Sequence, residues 1–249
     1  MTDAELAAHL AEIAGRLLLN VRDCAVFEDP ANRRVLGKAG DASANEFLCH
    51  AIRTARPDDG LLSEEEKDDT SRCAMSRVWI VDPVDGTREY GEQRSDWAVH
   101  VGLSVDGVAT HGAVALPGLG GGIVLRTDQT AALPDPAATP RFLVSRTRPA
   151  KEAVAVAEAM GGELVGMGSA GAKAMAVVRG EAEIYLHSGG QYEWDSCAPV
   201  AVAAAYGLHC SRIDGTPLCY NNQDTYLPDL LICRPEYAGE VLELVARLG

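Results

Sequence analysis

The chain has 249 residues, 47% of them hydrophobic and 23% charged, and a formal net charge of −14. That composition suits one large globular domain or two smaller ones. It argues against nucleic acid polymers and anionic membranes as partners, since both need a basic face, and no run approaches the ~20 apolar residues that span a bilayer.

Residues 1–21 place Leu6, Leu10, Ile13, Leu17 and Val21 on one helical face, with Asp3, Glu5 and Glu12 among them. That pattern predicts an amphipathic helix rather than a signal peptide. A second helix is predicted to start at Asp41, with Ala44, Phe47, Leu48, Ala51 and Ile52 on its apolar side. Ser43 and Glu46 have capping-box spacing there. A turn follows at 56–60 and a charge run at 63–69. Val78-Trp79-Ile80-Val81 then reads as a buried strand. It ends in Asp82-Pro83-Val84-Asp85-Gly86-Thr87, where Pro and Gly stop regular structure.

Strands over 98–105 and 108–116 are joined by Asp106-Gly107, a strong hairpin signal, and 123–126 adds another. The Ala- and Pro-rich stretch 128–140 reads as a linker. It divides the chain into an N-terminal α+β lobe over 1–135 and a C-terminal α/β lobe over 136–249. In the second lobe, strands at 142–145, 163–167, 183–187 and 229–233 alternate with helices at 150–160, 170–179, 196–206 and 237–248. That alternation implies layered α/β packing.

The seven cysteines are odd in number and show no C-x-x-C pair. They fit neither a disulfide framework nor a zinc site, and they point to free thiols in a reducing cytoplasm.

The chemistry concentrates at the end of the 78–81 strand. Asp82 and Asp85 stand on one turn, and the Val84 carbonyl lies between them. Hard cations such as Mg²⁺ seek oxygen ligands of this kind, and they supply the local positive charge that an anionic substrate needs on an acidic protein. Gly86 permits a tight backbone and Thr87 offers a hydroxyl able to hold a water. Alone, such a stretch is an ordinary strand-to-turn transition. Its spacing is not that of an EF-hand.

In full, hydrophobic-Asp-Pro-x-Asp-Gly-Thr resembles the signature of the inositol monophosphatase superfamily, the lithium-sensitive Mg²⁺ phosphatases. Leu62-Ser63-Glu64-Glu65 is similar to the family's upstream acidic block. Glu193-Trp194-Asp195-Ser196-Cys197-Ala198-Pro199 is similar to its downstream Trp-Asp-x-x-Ala-Pro block. Within the superfamily the chain most resembles the CysQ-type 3′(2′),5′-bisphosphate nucleotidases of actinobacteria. The resemblance implies a layered αβαβα sandwich of the sugar-phosphatase type. It also implies metal ligation by Glu64, Asp82, Val84, Asp85 and Asp195, with Asp41 recruiting a third ion. Lys38 stands where the family usually has Thr, three residues before Asp41.

Gly166-Met167-Gly168-Ser169-Ala170-Gly171-Ala172-Lys173 is a Gly-rich entry to a helix, suited to an anion. It resembles the Gly-Ser-x-x-x-Lys block that faces substrate in those nucleotidases. Ser145-Arg146-Thr147-Arg148 resembles their Ser-Arg-Ser-His block near a second phosphate, with Arg148 in place of His. The substrate contacts so implied are Gly86, Thr87, Ser145, Arg146, Gly168, Ser169, Lys173, Tyr192 and Asp195.

The implied activity is Mg²⁺-dependent hydrolysis of 3′-phosphoadenosine 5′-phosphate, and of its sulfated form, to AMP and phosphate, linked to sulfate assimilation. Two Mg²⁺ ions roughly 3.5–4 Å apart would bracket the phosphate, while Glu64, Thr87 and Asp41 handle the attacking water. The alternatives are an inositol-1-phosphate or fructose-1,6-bisphosphate phosphatase, and, more remotely, a non-catalytic metal- or phosphometabolite-binding relative. The partner is a small phosphate ester; the family contains both monomers and homodimers, so the oligomeric state stays open.

Overall fold

The computed structural model describes residues 1–27 and 29–248. The chain runs α1 (Asp3–Arg22), α2 (Arg33–Ala55), β1 (Gly60–Ser63), β2 (Arg77–Asp85), α3 (Thr87–Gly91), β3 (Ala98–Val105), β4 (Val108–Leu116) and β5 (Ile123–Arg126). It continues with β6 (Arg141–Ser145), α4 (Lys151–Ala159), β7 (Glu163–Met167), α5 (Ala170–Val178), β8 (Ile184–Tyr192), α6 (Glu193–Ala205), β9 (His209–Ser211), β10 (Tyr226–Cys233) and α7 (Pro235–Ala246). Among the described residues no helix is long and apolar enough to cross a membrane.

Two five-stranded mixed sheets form, ordered β1-β2-β3-β4-β5 and β7-β6-β8-β10-β9. Helices α1 and α2 cover the outer face of the first sheet, α5 and α6 lie between the sheets, and α4 and α7 cover the far face of the second. The result is the five-layer αβαβα sandwich that the resemblance implies.

Strand β2 shows why its sequence is apolar without alternation. Trp79 and Val81 join the core beneath α1 and α2, while Val78 and Ile80 join the core between the sheets. Both faces of the strand are covered, so both must be apolar. The same division places Leu143 and Tyr185 in the central core and Phe142, Val144, Ile184 and Leu186 against α4 and α7. At Asp106-Gly107 both residues have left-handed φ, 50° and 81°, as the tight hairpin turn requires.

The second helix starts eight residues before the predicted Asp41, at Arg33. Gly37 and Gly40 conceal this start, because glycine is unfavourable inside a helix. Both are points of close approach. A Cβ on Gly37 would lie 2.8 Å from Thr87 Cγ2, and one on Gly40 would lie 2.5 Å from the Tyr90 ring. The predicted capping box is absent: Ser43 Oγ donates to the Ala39 carbonyl within the helix. Helix α6 likewise starts at Glu193 rather than at the predicted 196. Strands β1 and β9 and helix α3 had not been predicted; each is at most five residues long and too short to show a period.

Candidate metal centre

Asp82 and Asp85 lie three positions apart on β2, a spacing that would put them on opposite faces of a regular strand. The register with β3 breaks between them, from Asp82↔His100 to Asp85↔Ala98. Pro83 lacks the N–H that the ladder needs, and the resulting bulge re-aims the side chains. Asp195, in the first turn of α6, completes the cluster. One oxygen from each of Asp82, Asp85 and Asp195 lies within 4.8 Å of the others. Two full charges at that separation repel by about 3 kcal/mol at an effective dielectric of 20.

Burial and this crowding shape the acidities. Burial first, then the charges of Glu64 and Asp85, hold Asp82 well above the usual carboxylate range. Burial and the Asp85 charge push Asp195 up to about 6. Glu64 follows β1, and its N–H extends the parallel ladder to the Val81 carbonyl at 3.4 Å. The residue is exposed as a whole, but its carboxyl end is pushed up to about 7 by desolvation and by Asp195. Asp41 is buried in mid-α2, and burial followed by the Glu65 charge pushes it up to about 7.

Asp85 behaves in the opposite way. Its complete burial disfavours ionisation, yet the His100 charge and a set of donors hold it down at about 2. Ser169 Oγ donates to Oδ2 at 2.5 Å, the Gly171 N–H to Oδ2 at 2.6 Å and the Ala170 N–H to Oδ1 at 3.1 Å. Sequence reasoning gives this helix entry to a substrate anion. In the structure the anion at the start of α5 is the chain's own Asp85. The Gly168 N–H is taken as well, by Asp96 Oδ2 at 2.7 Å.

Gly86 makes the turn from β2 into α3 with φ +87°, which favours glycine. Thr87 Oγ1 lies 3.1 Å from the Val84 carbonyl and 3.4 Å from Asp41 Oδ1. Thr87 therefore joins the cluster to Asp41. Lys173 Nζ is buried against the carbonyls of Ser169 and Gly168, at 2.5 and 3.5 Å, and 5.2 Å from the Tyr185 ring centre. Arg146 Nη2 pairs with Glu89 at 2.6 Å and Glu92 at 3.4 Å. A substrate contact by Lys173 or Arg146 requires these partners to be exchanged.

Two cavities hold residues of the predicted substrate contacts. One, of about 440 Å³, is lined by Thr87, Arg33, Arg34, Lys38, Arg88 and Glu92. The other, of about 490 Å³, contains Ser145, Arg148, Lys151 and His187. Tyr192 is half exposed, stacks on Trp194 with ring centres 4.8 Å apart, and lies 6.0 Å from the Tyr226 ring at an interplanar angle of 79°. Its N–H donates to Asp195 Oδ2 at 2.7 Å.

Sequence reasoning had assigned no role to His100. The ring is fully buried, with Nδ1 3.0 Å from the Trp194 carbonyl oxygen and Nε2 3.1 Å from Asp85 Oδ2. A lone His shows no ligand spacing. The available signal was its place in the otherwise apolar run Ala98-Val99-His100-Val101.

The donor set is oxygen throughout and clustered; burial and then mutual repulsion raise Asp82, Asp195 and Glu64, while Asp85 is held down by its donors and His100. These residues fit a hard divalent cation, whereas zinc favours nitrogen and sulfur.

The inositol monophosphatase family model matches residues 4–247. The 3′-phosphoadenosine 5′-phosphate phosphatase of Mycobacterium leprae is 47% identical over 258 aligned residues, covering 98% of this chain and 94% of the relative. That of Mycobacterium tuberculosis is 49% identical over 242, covering 94% and 89%. The crystal structure of CysQ from Bacteroides thetaiotaomicron superposes with a TM-score of 0.75 at 24% identity, covering 93% of this chain and 96% of that one.

Proposed function

The chain belongs to the inositol monophosphatase family, and from that premise we propose that it is a Mg²⁺-dependent 3′(2′),5′-bisphosphate nucleotidase that hydrolyses 3′-phosphoadenosine 5′-phosphate to AMP and phosphate. The observation that carries the chemistry is the convergence of Asp82, Asp85 and Asp195 within 4.8 Å. The substrate follows from the likeness, at 47–49% identity over nearly the whole chain, to phosphatases named for that nucleotide.

In this reading Asp82, Asp85, Asp195, Glu64 and the Val84 carbonyl hold two Mg²⁺ ions, and Asp41 serves a third. Bound there, Mg²⁺ supplies Lewis acidity toward the phosphate and the attacking water. The protein's own part is to orient and to move a proton. Thr87 Oγ1 gives its hydrogen to the Val84 carbonyl or to Asp41, which leaves its lone pairs to accept from a water. In this reading the Glu64 carboxylate, beside the metals, helps to orient that water and to take its proton. No side chain need act as a nucleophile. The cavity with Ser145, Arg148 and Lys151 suits the second phosphate, and the half-exposed Tyr192 suits the base. The setting is cytoplasmic, in keeping with seven cysteines that are all unpaired.

The test is phosphate release with Mg²⁺ from 3′-phosphoadenosine 5′-phosphate, inositol-1-phosphate, fructose-1,6-bisphosphate and AMP. The expected result is the highest kcat/KM for the first and none for AMP. A higher kcat/KM for either sugar phosphate would overturn the substrate and leave the metal chemistry standing.

A further inference from the structure

His100 has no part in the reaction above, yet its ring sits at the junction of three elements. Asp85 comes from the end of β2. The Trp194 carbonyl belongs to α6, one residue before Asp195. Gly171 belongs to the first turn of α5, and a Cβ there would lie 2.0 Å from Nε2. Helix α5 therefore packs edge-on against the ring, and only glycine fits. Nδ1 is hydrogen-bonded with the Trp194 carbonyl at 3.0 Å, while Nε2 lies 3.1 Å from Asp85 Oδ2 as an ion-pair contact without hydrogen-bond alignment.

An imidazole in full burial is costly unless its polar atoms are engaged, and an aliphatic side chain would suit a strand of Ala, Val and Leu better. What the histidine adds is a link between Asp85 and the backbone that carries Asp195. The two carboxylates come from different elements, and Mg²⁺ demands near-ideal octahedral geometry, so their separation must be held.

We propose that His100 is a positioning residue of the metal centre, bridging the Asp85 carboxylate to the main chain beside Asp195 and so fixing the spacing of these two ligands. The inference rests on the reading of Asp85 and Asp195 as metal ligands.

The test is titration calorimetry of Mg²⁺ into the full chain with His100→Asn and His100→Gln. A Gln amide nitrogen reaches about where Nε2 lies and keeps the Asp85 contact; an Asn amide reaches only about as far as Nδ1. His100→Asn is expected to raise the Mg²⁺ Kd roughly 10–100-fold, and His100→Gln to recover most of that loss. Variants that lose thermal stability equally with and without Mg²⁺, at unchanged Kd, overturn the proposal and leave His100 a core residue. Asp82→Asn separates the two readings. If it abolishes Mg²⁺ binding while His100→Asn does not, only the His100 inference fails; if it too leaves Kd unchanged, the metal centre itself is misassigned. Should His100→Asn not fold, the ring ¹⁵N resonances of His100 in the unmodified protein decide. They are expected to move on saturation with Mg²⁺, and unmoved resonances overturn the proposal.

Discussion

Ser169 donates its hydroxyl hydrogen to Asp85 Oδ2 at 2.5 Å, across 84 positions of chain. Ser169 Oγ in turn accepts the Ala172 N–H at 2.9 Å. One side chain thus caps α5 and pins the most acidic carboxylate of the cluster. Ser169→Ala removes a cap worth about 1 kcal/mol and a bond to a charged group worth about 1.5–3 kcal/mol. We expect a lower Tm and an Mg²⁺ Kd raised roughly 10-fold or more, measured by calorimetry. A wild-type Kd in this variant would show that Asp85 needs no such support.

Asp82 is 1% exposed and carries a like-charge burden from Glu64, Asp85 and Asp195. Asp82→Asn keeps the volume and removes a group whose ionisation the buried cluster opposes in the metal-free protein. Its Tm without Mg²⁺ should therefore equal or exceed that of the wild type. Turnover should fall on the order of a thousandfold or more, a loss at or beyond the upper end for one electrostatic group in an active site. Near-normal phosphate release would remove Asp82 from the ligand set.

These two predictions concern residues whose legibility in the sequence differed. Asp82 and Asp85 were readable because a contiguous stretch carries strand, turn and carboxylates together. The bulge that turns both toward Asp195 was not, because it depends on pairing with β3. Ser169 was readable as part of a Gly-rich helix entry suited to an anion, but the carboxylate it meets lies 84 residues away, and no local pattern announces it. The early start of α2 was hidden by Gly37 and Gly40, whose reason is the packing of Thr87 and Tyr90. His100 was invisible for the same cause: its meaning resides entirely in Asp85, Gly171 and Trp194. The layered α/β packing of the second lobe was legible because the alternation of strands and helices is local information, whereas the five-layer sandwich came from the family resemblance.

Thr87 connects the Val84 carbonyl to Asp41 through one hydroxyl. Thr87→Ala leaves every carboxylate in place, so Mg²⁺ affinity should change little. It removes the group that orients water, so kcat should fall roughly 10²–10³-fold. Thr87→Ser keeps the hydroxyl and should recover most of the rate. A drop in Mg²⁺ affinity as large as the drop in kcat would instead make Thr87 a structural support of the metal site.

The raised carboxylates tie stability to pH and to metal. Asp41, Glu64 and Asp195 stand at about 7, 7 and 6 in the folded chain, against ordinary values near 4 when unfolded. The folded state therefore holds more protons between these limits. Its stability from these groups is complete below about pH 4 and is lost as pH rises through 6 and 7. Asp85 has the opposite sign, but its contribution changes only between about 4 and 2, outside this window. Metal-free protein should accordingly lose Tm between pH 5 and pH 8. Mg²⁺ replaces those protons, so the rise in Tm that it causes should be larger at pH 8 than at pH 5. Taking the difference with and without Mg²⁺ at each pH cancels the histidines remote from the site, such as His209. Calorimetry in two buffers of different ionisation heat should register proton release on binding near pH 6. A rise in Tm independent of pH, with no proton released, would mean that the cluster is already ionised without metal and that its carboxylates lie farther apart in solution than 4.8 Å.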